Sequence, residues 1–81
     1  MPPLKKFKRL DVEPLLEQGE DVREAILRRV RALDSEDGLL VSAPFLPSPL
    51  IEMLGGMGFA SKVEPGGNGS WLVYFWTAEN Q

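Results

Sequence analysis

The apolar patterning of this chain predicts an α+β fold, a two-layer α/β sandwich in which one four-stranded mixed sheet carries both of its helices on one face. Three observations predict it. A stretch with apolar residues at helical spacing, Asp21 to Leu33, lies between two short strand-like runs; a second, shorter helical stretch follows a proline-rich segment; and two last strand-like runs flank an Asn-Gly turn. The order is therefore β-α-β-α-β-β. Right-handed crossovers then place both helices on the same side and leave the other sheet face open.

The first strand is expected at about Lys8 to Val12, where Leu10 and Val12 alternate with Arg9 and Asp11, and Pro14 stops it. From Asp21 onward, Val22, Ala25, Ile26, Val30 and Leu33 form one apolar stripe. Acids Glu20, Asp21 and Glu24 sit near its start and Arg28, Arg29 and Arg31 near its end, the order that the helix dipole favours. Asp21 with Glu24 resembles a capping box. Asp34-Ser35-Glu36-Asp37-Gly38 is turn chemistry, and the run Leu39-Leu40-Val41-Ser42-Ala43 after it is short enough for a buried central strand.

Pro44, Pro47 and Pro49 hold an extended loop, and Ser48-Pro49 places a capping residue and a first-turn proline before Leu50, Ile51, Met53, Leu54 and Met57. Gly55, Gly56 and Gly58 weaken the end of this helix, and Gly58 can serve as its left-handed cap. A third strand is expected from Ala60 to Glu64 and a fourth from Ser70 to Thr77. Between them, Pro65-Gly66-Gly67-Asn68-Gly69 is a hairpin connection whose Asn-Gly pair supplies positive φ.

Length and composition narrow the functions. The 81 residues suit a single domain spanning 1–81, with residues 1–7 a flexible start, and 43% hydrophobic with 26% charged residues is the composition of a folded chain. Cysteine and histidine are both absent. That removes thiolate and disulfide chemistry, the commonest general base and the commonest metal ligand, so neither an enzyme site nor a cofactor or metal is expected. The lack of cysteine suits a reducing cytoplasm, and no apolar run approaches the ~20 residues that cross a bilayer. The formal charge is −3, yet eight of the nine basic residues precede Ala32.

The β-α-β-α-β-β order, the Leu10-Asp11-Val12 strand, Pro47-Ser48-Pro49-Leu50 after the second strand, Gly58-Phe59 and the late Trp-rich strand together resemble bacterial TusA/SirA-like domains. More narrowly they are similar to the cysteine-free branch, a domain of unknown function. The resemblance spans nearly the whole chain and implies a strand order of 1-2-4-3. Its sulfur-carrier members use a Cys-Pro pair at the start of the first helix, where this chain has Gly19-Glu20-Asp21-Val22, so sulfur transfer does not carry over. Some cysteine-free relatives carry a histidine or an acid in the loop ahead of the PxPL segment, where this chain has Ala43-Pro44-Phe45-Leu46.

Several patterns suggest chemistry and fail on detail. Asp34 to Gly38 is acidic like a calcium loop, but the bidentate carboxylate due at its twelfth position would be Phe45. Gly66 to Ser70 lacks the lysine and the following helix of a phosphate loop. Asp11 and Glu13 are paired acids with no predicted pocket around them. Lys5, Lys6, Lys8 and Arg9 interleave charge with Phe7, a pattern that either grips phosphate or solubilises a frayed terminus.

The anomaly is the last strand. Trp71, Val73 and Phe75 point to one face and Leu72, Tyr74 and Trp76 to the other, so both faces are apolar. The first set is assigned to the helices and the second to the open face, beside Leu40; a large apolar patch there marks an interface. The expected function is a non-catalytic protein-interaction or accessory domain using this face for a partner or a homodimer. Two alternatives remain open. One is single-stranded nucleic acid bound through the basic cluster, Tyr74 and Trp76. The other is a small ligand or anion at Phe45, Leu46 and Ser48, which requires a concave pocket near Phe45 to Leu50.

Overall fold

The computed structural model describes residues 1–78. The sheet comprises β1 (Phe7–Asp11), β2 (Gly38–Ala43), β3 (Phe59–Pro65) and β4 (Trp71–Thr77), and the helices are α1 (Val12–Glu17), α2 (Val22–Arg31) and α3 (Ser48–Gly56). The strand order is β1-β2-β4-β3, with β1 parallel to β2 and β4 antiparallel to both its neighbours. This is the expected mixed sheet and order.

All three helices feed one core. Leu10, Leu39, Val41, Ala43, Val73 and Phe75 from the strands meet Val12, Ile26, Leu27, Val30, Leu50 and Leu54 from the helices. The alternation along β2 and β4 explains why these residues share a side: pairing Val41 with Val73 and Leu39 with Phe75 puts every second residue of the two central strands under the helices. None of these three α-helices lies on the other face.

The first helix is a finding that the patterning missed. Pro14 stops β1 only in the sense that the chain turns into α1, where it is the third helical residue and its missing N–H would have had no partner in any case. α1 buries Val12 and packs Leu15 against the core. It ends in a Schellman motif: Gly19, at φ 71°, donates its N–H to the Leu16 carbonyl, and the Glu20 N–H reaches the Leu15 carbonyl. Six residues are too short for a periodicity to stand out, which is why the sequence does not announce them.

Smaller corrections concern boundaries and caps. β1 starts one residue earlier than expected, at Phe7, and Val12 belongs to α1. Asp21 caps α2 as expected, its carboxylate accepting the Glu24 N–H at 3.3 Å. Ser48 does not cap α3. It is the first helical residue, Pro47 occupies the cap position, and no side chain caps the helix. The reason is local: the Ser48 N–H donates to the Leu46 carbonyl, which winds the chain into the helix one residue early. The hairpin turn is as expected, with Asn68 at φ 57° and Gly69 at φ 77°.

Candidate functional site

Two surfaces offer more than ordinary polar exposure. The first is the sheet face away from the three α-helices. Register places Leu40 opposite Tyr74, with Leu72 and Trp76 flanking Tyr74 on the same side, so the four residues singled out from the sequence do meet. They are less open than the patterning suggests. Tyr74 is only 8% exposed, and Leu40, Leu72 and Trp76 are half-buried.

Phe7 covers two of them, Tyr74 and Trp76. Its ring meets Tyr74 edge-on at 5.2 Å between centroids and Trp76 at 6.4 Å, the T-shaped geometry that aromatic quadrupoles favour. The ring can lie there because its neighbour on β2 is Gly38. A Cβ at Gly38 would come within 2.8 Å of the Phe75 carbonyl oxygen and collide with the Phe7 ring. Glycine thus leaves a gap in the pleat that an aromatic from the adjacent strand fills. The sequence does contain the signal, since Phe7, Arg9 and Asp11 alternate with Lys8 and Leu10, but Phe7 reads there as part of a charged terminus.

Polar groups frame this cluster. Arg9 Nε donates to Asp11 Oδ1 at 2.9 Å on β1, Lys62 Nζ stands 3.2 Å from Glu64 Oε2 on β3, and the Tyr74 hydroxyl donates to Glu64 Oε1 at 3.4 Å. Trp76 Nε1 is buried and has no hydrogen-bond acceptor among the described residues. For single-stranded nucleic acid the geometry is unhelpful: Arg9 is already paired, and Tyr74 has little ring surface to offer a base.

The second surface is a cleft of about 400 Å³ between the start of α2 and the proline-rich loop, lined by Val22, Arg23, Phe45, Pro47, Pro49, Leu50 and Met53. It is the concavity that a ligand at the loop would need. Arg23 is the one charged residue in an otherwise apolar lining. Phe45 stands at it 43% exposed, and the adjacent Leu46 is 42% exposed, both costly positions for large apolar side chains in the absence of something to cover them. Of the three loop residues expected at such a site, only Phe45 lines it; Leu46 and Ser48 do not. The helix start also offers an anion little: the Ser48 N–H is spent on Leu46, Pro49 has none, and the Ile51 N–H bonds the Pro47 carbonyl. Val22 and Arg23 were missed in the sequence because only the placement of α2 beside the loop brings them to Phe45, and Met53 because its place in α3 reads there as core.

A third, polar concavity of about 490 Å³ gathers Arg9, Asp11, Glu13, Ser42, Asn68 and Ser70 at the ends of β1 and β2. It brings the paired acids Asp11 and Glu13 together with the hairpin loop. Among the described residues no group of three or more acids, histidines or cysteines is placed to hold a metal ion, and no helix is long and apolar enough to cross a membrane. The chain matches no protein-family model, no curated protein and no solved structure.

Proposed function

We propose that this chain is a non-catalytic interaction domain that receives an apolar group of a partner protein in the cleft between α2 and the proline-rich loop. The observation that supports it is the cleft itself: its volume falls within the ~300–1,000 Å³ of ligand sites, its lining is apolar but for Arg23, and Phe45 is left exposed beside it. Pro47 and Pro49 stiffen its wall, so little conformational entropy is lost when it is filled. An apolar small molecule would use the same walls.

The lack of histidine and cysteine supports a role in contact rather than catalysis, and the lack of cysteine supports a cytoplasmic setting. The strand order β1-β2-β4-β3 is compatible with the TusA/SirA-like resemblance.

A titration of the ¹⁵N-labelled protein with cyclohexanol, followed by amide chemical shifts, tests the cleft. Shifts should concentrate at Val22, Phe45 and Met53 and weaken several-fold in Phe45→Glu, an exposed position where the fold is not at stake. Shifts at Leu72 and Trp76 instead would favour a second reading, in which the half-buried Leu40, Leu72 and Trp76 dock a partner or a second copy. No response at either surface would remove both.

A further inference from the structure

The sheet has two edges, and they are not equivalent. At β1 the Arg29 guanidinium of α2 donates to the Arg9 carbonyl at 3.0 Å, so one outward group of that edge is occupied. At β3 the outward groups can be identified from the hydrogen bonds at both ends of the β3–β4 ladder. Gly66 N–H donates to the Ser70 carbonyl and Ala78 N–H to the Gly58 carbonyl, each at 2.9 Å. Both pairs continue the register that joins Phe59 to Thr77 and Pro65 to Trp71. Even-numbered residues of β3 therefore turn their N–H and C=O toward β4, and Phe59, Ser61, Val63 and Pro65 turn theirs outward. Pro65 fits that side, since an edge strand tolerates a residue with no N–H where no ladder partner is needed. No hydrogen bond to the Ser61 or Val63 N–H is seen among the described residues.

We infer that the β3 edge pairs antiparallel with the β3 edge of a second copy, about a two-fold axis at Val63, to give a continuous eight-stranded sheet. The charges select this register. Centred on Val63, each Lys62 faces the Glu64 of the other copy at non-hydrogen-bonded positions, where opposed side chains approach most closely. Centred on Lys62 or on Glu64, the same strands set like charges directly opposite each other. A register centred on Ser61 leaves Lys62 opposite Ala60 and gains no ion pair.

At Val63 the two copies exchange both backbone bonds, and each Ser61 N–H reaches the Pro65 carbonyl of the other copy. The Val63 side chains, 38% exposed in one copy, meet across the axis. Lys62 and Glu64 are already paired within the strand, so the charges choose the register more than they add affinity. The contact is one strand wide and belongs with the weak interfaces below about 1,200 Å².

Sedimentation equilibrium over a concentration series up to about 1 mM at low salt tests this, on wild type, Lys62→Glu, Glu64→Lys and the doubly swapped chain. Wild type should self-associate, each single change should weaken association by about tenfold, and the double swap should restore it. Hydrogen exchange should show the Ser61 and Val63 amides gaining protection with concentration. A wild type that stays monomeric throughout the series overturns the inference, as does association that ignores all three variants. Because the cleft lies elsewhere, failure here leaves the cyclohexanol response unchanged, and the reverse also holds.

Discussion

The two faces of β4 carry equally apolar side chains and are buried by different means. On one side Val73 and Phe75, both 0% exposed, lie beneath three helices. On the other, Tyr74 is 8% exposed beneath a ring from β1 and between Leu40 and Lys62 of its neighbour strands, while Leu72 and Trp76 keep part of their surface. A helix layer excludes water from a whole face. One aromatic set over a glycine excludes it only locally, and the rest of that face is bounded by ion pairs that stay in solvent. A sheet can therefore be apolar on both sides without presenting a large bare patch, if an edge strand supplies the cover.

The largest effect that would break the comparison is on the helix side. Phe75→Ala should lose about 3–5 kcal/mol in urea unfolding, and a loss below about 1 kcal/mol would mean that the helix layer is no more tightly packed than the face opposite. Next comes the glycine. Gly38→Ala should cost about 1–3 kcal/mol by forcing the Phe7 ring off its seat. Combining it with Phe7→Ala should give a total clearly less than the sum of the two single losses, because the clash is removed with the ring. Strict additivity would show that Phe7 does not occupy the Gly38 gap. Smallest is the frame: Arg9→Ala should change stability by less than about 1 kcal/mol, since the Arg9–Asp11 pair is exposed on both sides. A larger loss would assign the closure of this face to its charges.

Much of this was legible in the chain. The stripe from Val22 to Val30 marks α2 because a core-facing helix needs one apolar side, and Asn68-Gly69 marks the β3–β4 turn because few other pairs accept positive φ twice. The two-sided pattern of β4 was equally plain. α1 was not legible, because Pro14 ends a strand and opens a helix with the same fixed φ, and only the burial of Val12 and Leu15 distinguishes the outcomes. The cleft was half legible: Phe45 stands out as an apolar residue in a loop, but Leu46 beside it does not line the cleft, Val22 and Arg23 lie far from it in sequence, and Met53 sits on the helix after the loop.

By itself, then, the sequence determined the order of the four strands and the two longer helices, the hairpin turn and the lack of thiol and imidazole groups, because these depend on residue identity and short-range spacing. Tertiary structure alone decided which apolar residues remain uncovered. Phe7 reaches Tyr74 only because β1 lies beside β2 with Gly38 between them, and Phe45 shares a cleft with Val22 only because the start of α2 lies beside the loop. Exposure is a property of neighbours brought from distant parts of the chain, and local patterning carries no record of which neighbours those will be.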